Sequence, residues 1–81
     1  MKHWKEHIVS DENILLGKPT IKGTRISLEL ILNRLADGWS IDDILLSYPS
    51  LEKEDIMAVF SYMYEFLEDG LFFTQMQKTA G

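Results

Sequence analysis

Three serines do most to limit what this chain can fold into. Ser27, Ser40 and Ser50 each stand just ahead of an apolar segment whose opening carries carboxylates: Glu29 after the first, Asp42 and Asp43 after the second, Glu52, Glu54 and Asp55 after the third. A serine hydroxyl can accept a hydrogen bond from an unpaired N–H of the first helical turn, and a carboxylate there gains about 0.3–1 kcal/mol from the helix dipole. Behind these starts, Leu28, Ile31, Leu32 and Leu35 recur at i, i+3, i+4 and i+7, and Ile41, Ile44 and Leu45 at i, i+3 and i+4. The stops are equally marked. Gly38 offers a cheap left-handed residue after the first segment, Tyr48-Pro49 forces the chain out of the second, and Gly70 closes the third. The pattern predicts three helices within residues 27–68, the last one the longest, at 52–68.

Upstream of Ser27 the pattern is short and extended. Ile8-Val9, Ile14-Leu15-Leu16, Ile21 and Ile26 are separated by the turn formers Ser10-Asp11-Glu12-Asn13, Gly17-Lys18-Pro19 and Lys22-Gly23-Thr24. This reads as one or two short strands with tight turns, or as irregular extended chain. The organisation expected is a single domain over 1–81: an extended arm and β-turn segment over 1–26, a three-helix core over 27–68, and a tail over 69–81 that a partner would order. The linkers Asp37-Gly38-Trp39 and Pro49-Ser50 are short, so consecutive helices must pack steeply or as antiparallel neighbours. Both a tri-helical helix-turn-helix and a generic three-helix bundle satisfy this.

Size and charge narrow the function classes. A chain of 81 residues buries only about 60–65% of the surface its unfolded form exposes, and domains this small lean on disulfides, a metal or a partner. With no cysteine, disulfides and thiolate zinc sites are excluded. His3 and His7 sit close to the chain start and make a poor metal site, so neither metal nor cofactor is expected and a partner is. The net charge is −5, divided unevenly: residues 1–34 hold six Lys/Arg against four Asp/Glu, giving +2, and residues 35–81 hold two against nine, giving −7. A uniformly basic nucleic-acid binder is thereby excluded. No apolar run approaches the roughly 20 residues of a membrane-spanning helix. The opening MKHWKEHI has no apolar signal core, which leads to the expectation of a cytoplasmic protein.

Catalysis finds little footing. Nucleophilic catalysis needs a base beside the nucleophile, and both histidines lie within the first seven residues. Asp42-Asp43 and Glu54-Asp55 are adjacent on helices, so their side chains diverge by about 100° rather than converging on a substrate. Gly17-Lys18-Pro19-Thr20 lacks the spacing of a phosphate loop. The chain is therefore expected not to be an enzyme.

Two binding surfaces are suggested instead. Lys2, Lys5, Lys18, Lys22, Arg25 and Arg34 could form a basic, phosphate-contacting face, with the competing reading that they pair with the chain's own carboxylates, Arg25 with Asp42 or Asp43. The third helix would start Leu51-Glu52-Lys53-Glu54-Asp55, too acidic to read a major groove in the usual helix-turn-helix manner. Met57, Phe60, Met63, Tyr64 and Leu67, followed by Leu71, Phe72 and Phe73, widen the apolar arc of this helix beyond what a monomeric surface helix needs. They form the candidate partner or dimer interface. The bland alternative is that a small core absorbs these aromatics.

Three blocks in order, GKPTIKGTRIS, then GWSIDDI, then YPSLEKEDIMAVFSY, resemble the prokaryotic family called domain of unknown function 433 (DUF433), whose pattern is close to GxPxIxGTRI, G-x-[ST]-x-[DE]-[DE]-[IL] and YPxLxxEDIxAAxxY. The likeness covers residues 7–64; Met57-Ala58-Val59-Phe60 replaces a more alanine-rich stretch, and 65–81 lie outside it. The resemblance implies a mainly α, tri-helical homeodomain-like helix-turn-helix core with a short N-terminal β element. It also implies an antitoxin of a type II toxin–antitoxin system, VapB-like, that binds and neutralises a PIN-like nuclease toxin and represses its own operon at operator DNA. In that picture the core is a scaffold and dimerisation unit, as a homodimer or higher oligomer. The distal third helix and the tail from Leu71 dock onto the toxin, and Glu65, Glu68 and Asp69 complement its basic cleft. The alternatives are a stand-alone DNA-binding transcription regulator and a non-catalytic dimeric interaction module.

Overall fold

The change of period at Ser27 is where the first helix begins. The computed structural model describes residues 4–68. Within them three helices, α1 (Leu28–Ala36), α2 (Ile41–Ser47) and α3 (Lys53–Glu68), follow a two-stranded antiparallel sheet of β1 (Ile8–Val9) and β2 (Thr20–Ile21). A single 3₁₀ turn, Trp4–Glu6, precedes β1. The fold is mainly helical, as the periodicity predicts.

Two of the three serine caps form as expected. Ser27 accepts from the Leu30 N–H at 3.0 Å. Ser40 accepts from the Asp43 N–H at 3.0 Å while Asp43 accepts from the Ser40 N–H at 2.9 Å, a reciprocal capping box. The third cap differs. α3 starts three residues after Ser50, and the cap position falls on Glu52, whose N–H is held by the Asp55 carboxylate at 2.9 Å. The Leu51 N–H bonds to the Tyr48 carbonyl, so the turn after Pro49 consumes Ser50 and Leu51 before the helix can begin.

α1 ends in a Schellman motif: with Gly38 at φ 97°, the Gly38 N–H bonds to the Leu35 carbonyl at 3.1 Å and the Trp39 N–H to the Arg34 carbonyl at 3.0 Å. α2 stops at Tyr48, the residue ahead of proline, whose φ of −125° has left the helical range.

The small sheet is a pinning device more than a layer. Ile8 faces Ile21 and Val9 faces Thr20. Ile8 and Ile21 are buried, and the Thr20 hydroxyl, fully buried, donates to the Val9 carbonyl at 3.4 Å. After Ile21 the chain reverses at Lys22-Gly23, with Gly23 at φ 81°, the position a type II turn reserves for glycine. Thr24 locks the reversal: its hydroxyl donates to the Ile21 carbonyl at 2.8 Å and accepts from the Ile26 N–H at 3.0 Å. The Leu28 N–H then bonds to the Pro19 carbonyl, tying the start of α1 to the strand.

Of Ile14-Leu15-Leu16, read from the sequence as an extended piece, Ile14 is extended at φ −124°, ψ 112°, but Leu15 and Leu16 enter a tight left-handed turn. Asp11 accepts from the Asn13 N–H at 2.9 Å, and the following Leu15, Leu16 and Gly17 take φ of 51°, 57° and 86°. Leu16 is 95% exposed, so no burial drew it into the core and no extended pairing partner held it out.

The core is Ile8, Ile21, Leu28, Ile31, Ile44, Leu51, Ile56, Ala58 and Val59, drawn from both strands, all three helices and the turn before α3. Trp4, Trp39, Tyr48 and Tyr62 pack around it, half-buried.

Candidate interaction surfaces

α3 buries one side against the sheet and helices and leaves the other to solvent. Ile56, Ala58 and Val59 are fully buried, whereas Phe60, Tyr64 and Leu67 are 43%, 64% and 49% exposed. Met57, Phe60, Ser61 and Tyr64 line one shallow, open groove of about 460 Å³. The Tyr64 hydroxyl donates to the Glu68 carboxylate at 3.4 Å, which holds that charge beside the apolar strip. Of the eight residues nominated from sequence, Met57, Phe60, Tyr64 and Leu67 thus share a face. Met63 does not: it lines a separate apolar groove of about 370 Å³ with Pro19, Leu28, Leu32 and Tyr62. Leu71, Phe72 and Phe73, with Asp69, lie outside the described residues.

The opposite flank of α3 is covered by the N-terminal segment, and sequence reasoning missed this. The Trp4 indole N–H donates to Glu65 at 2.8 Å, and its ring meets Tyr62 edge-on, centroids 4.8 Å apart at 83°. His7 Nδ1 lies 2.9 Å from Asp55 Oδ1, both side chains largely covered. What looked like a free arm is stapled along a helix 48 to 61 residues away in sequence. Glu65 is consequently engaged at home rather than presented outward. The only signal was an amphipathic Trp followed by a His ahead of a strand pattern, and its partners could not be named without the fold.

The six cations divide. Lys18 pairs with Glu29 at 2.8 Å on the surface, and this contact holds the Glu29 carboxyl below its ordinary range. Arg34 lies over the Trp39 ring at 5.1 Å, and its Nε donates to the Tyr48 hydroxyl at 3.4 Å, bracing the end of α1 against α2. Lys5 lies 5.9 Å from the centre of the Trp4 ring. Lys2 is outside the described residues. Lys22 and Arg25, both exposed, flank the Gly23-Thr24 turn and make no ion pair among the described residues. The pairing of Arg25 with Asp42 or Asp43 does not form; Asp43 is occupied by the Ser40 backbone N–H and hydroxyl, which lower its pKa. Of the five of these cations that are described, Lys22 and Arg25 are thus the two without an ion pair or an aromatic contact among the described residues, and they share one turn.

The His7–Asp55 pair serves the fold. Asp55, the carboxylate beside His7, spends its second oxygen capping α3. Among the described residues no cluster of three or more His, Cys, Asp and Glu could hold a metal ion, and no helix is long and apolar enough to cross a membrane.

Comparison with known proteins places this geometry. The profile of the family described as protein of unknown function (DUF433) matches residues 8–63. The uncharacterized protein y4eO of Sinorhizobium fredii (strain NBRC 101917 / NGR234) is 33% identical over 58 residues, which are 72% of this chain and 26% of that protein. This chain therefore spans about a quarter of the length of that relative. The crystal structure of a DUF433 member protein from Anabaena variabilis ATCC 29413 superposes with a TM-score of 0.71 at 25% identity, covering 78% of this chain and 62% of the other.

Proposed function

The chain belongs to the DUF433 family, and from that premise we propose that it is the antitoxin of a type II toxin–antitoxin pair, a non-catalytic protein that binds and neutralises a PIN-like nuclease. The observation that carries this reading is the outward strip of α3. Half-buried Met57 joins the exposed Phe60, Tyr64 and Leu67 in an apolar face on a helix whose opposite side packs on the core and on Trp4. Exposed aromatic side chains grouped beside a methionine on one rigid element suit a protein interface better than bulk solvent. Glu68 beside this strip complements a basic, RNA-binding cleft.

Repression of the operon, in this reading, uses Lys22 and Arg25, the two exposed cations on the turn between β2 and α1, which make no ion pair among the described residues. The start of α3, with Glu52 and Glu54 exposed, opposes phosphate, so a stand-alone regulator reading bases with this helix is the weaker alternative.

The experiment is co-expression with the nuclease encoded beside the gene. The intact chain restores growth and co-purifies with the nuclease, and a Phe60→Ala/Tyr64→Ala double variant of unchanged helical content loses both. A nuclease still neutralised by that variant, or no growth rescue by the intact chain, overturns the proposal.

A further inference from the structure

Half-buried Met57 and the exposed Phe60, Tyr64 and Leu67 of α3 follow one another at intervals of three, four and three, the a/d seam of a heptad, while the exposed Phe66 stands off this line. At 3.6 residues per turn they fall within an arc of about 80°, opposite Ala58, Val59 and Tyr62 on the covered side. One helix thus carries two apolar faces, one serving its own fold and the other with the geometry of a helix–helix contact. Such a seam takes a second helix crossing at about 20°. Its borders are unlike: Glu54, Ser61 and Glu68 recur every seven residues along one edge, while Ile56 and Met63 occupy the other. Lys53, at the amino end, stands on the line of the seam itself, seven residues before Phe60.

Those borders discriminate between occupants. In an antiparallel pair with a second copy, the acidic edge would run along its own counterpart, setting Glu54 against Glu68 twice. A parallel copy would stack Lys53 on Lys53 in the seam and bring together two chains of net charge −5. Like charges at these flanks reject a pairing, and opposite charges select one.

We propose that this face receives an amphipathic helix of a partner protein, with an apolar a/d seam and Lys or Arg along the edge that meets Glu54 and Glu68. The proposal deepens the antitoxin reading and rests on it for taking that helix to belong to the nuclease. The helix enters alongside Tyr64, whose hydroxyl already orients Glu68 toward the edge.

The test uses the full chain and two synthetic helical peptides with identical leucine seams, one flanked by lysine and one by glutamate. At low salt the lysine-flanked peptide should bind about tenfold more tightly, as expected for two exposed charge pairs at the upper end of their range. The Glu54→Lys/Glu68→Lys variant should reverse the order, and Phe60→Ala/Tyr64→Ala should weaken both peptides. Equal affinities, an order that survives the charge reversal, or binding of neither peptide overturns the proposal. So does sedimentation showing a dimer that the Phe60→Ala/Tyr64→Ala variant dissolves, since the occupant is then a second copy. The two levels separate cleanly. Peptide discrimination without growth rescue sinks the antitoxin reading and keeps the seam. Growth rescue by the intact chain, with no peptide discrimination, sinks the seam and keeps the antitoxin.

Discussion

Replacing Leu16 by glycine should stabilise this protein, the reverse of what glycine does at most ordered positions. Leu16 has φ 57° and ψ 33°, in the left-handed region, and its side chain is 95% exposed. A non-glycine L-residue pays about 1–2 kcal/mol to sit there. Glycine relieves that cost but brings roughly 0.5–1 kcal/mol of additional unfolded-state entropy. Almost no burial is forfeited, so the net gain is about 0.5–1 kcal/mol, or several degrees in Tm for a domain of this size. Leu16→Ala is the control: it removes the same exposed side chain yet keeps the β-carbon responsible for the strain, and should leave stability near that of the parent. The assay is urea unfolding followed by far-ultraviolet circular dichroism on all three proteins, with m-values compared to confirm that the unfolded states match. A glycine variant at or below the alanine variant would refute the reasoning, because the left-handed cost would then not be stored at this residue. Leu15 is a poorer site for the same test, since at φ 51° it is strained alike but more than half its side chain is covered.

Three further outcomes follow from the caps and clasps. Ser27→Ala should cost about 1 kcal/mol, whereas Ser50→Ala should be nearly silent because α3 is capped by Asp55 instead; equal losses in chemical denaturation would contradict the cap assignment. Asp55→Ala removes both the His7 contact and the Glu52 cap and should cost about 1–3 kcal/mol, more than His7→Ala, which removes only the first; the reverse order would be incompatible with the shared carboxylate. Asp43 has its pKa lowered by the Ser40 N–H and hydroxyl, so the unfolded chain takes up that proton first on acidification. Its contribution is therefore complete above the ordinary aspartate value of 3.8 and is lost as pH falls through the lower folded value, and Asp43→Asn should flatten the stability–pH curve in that window.

Local rules carried the helices and most of the blocks by which the family is recognised. Gly23, Thr24 and Ser27 sit in the most recognisable block, and each proves to be a turn or cap residue, the side-chain bonds of Thr24 and Ser27 reaching no further than three positions. Interactions of that range can be read from spacing. The solvent strip on α3 was legible for a related reason: a period of 3.6 identifies which residues share a face. Which face is buried is another matter. Met63 and Tyr64 are neighbours, yet one lines a groove against α1 and the other meets solvent, and only the packing of α3 on the sheet separates them.

Caps, proline and periodicity act over a few residues, so the three helices, the stops of α1 and α2 and the surplus of apolar surface on α3 could be read locally; the stop expected at Gly70 lies outside the described residues. The tertiary structure decided the rest. It brought Trp4 to Glu65 and His7 to Asp55, laid Arg34 over Trp39, and left Lys22 and Arg25 with no ion pair among the described residues. It also took Leu15 and Leu16 from an apparent extended piece into a left-handed turn, since a run of three apolar residues finds a strand only if another edge is there to pair with it. Long-range pairing depends on where the whole chain runs, and no window of local sequence contains that information.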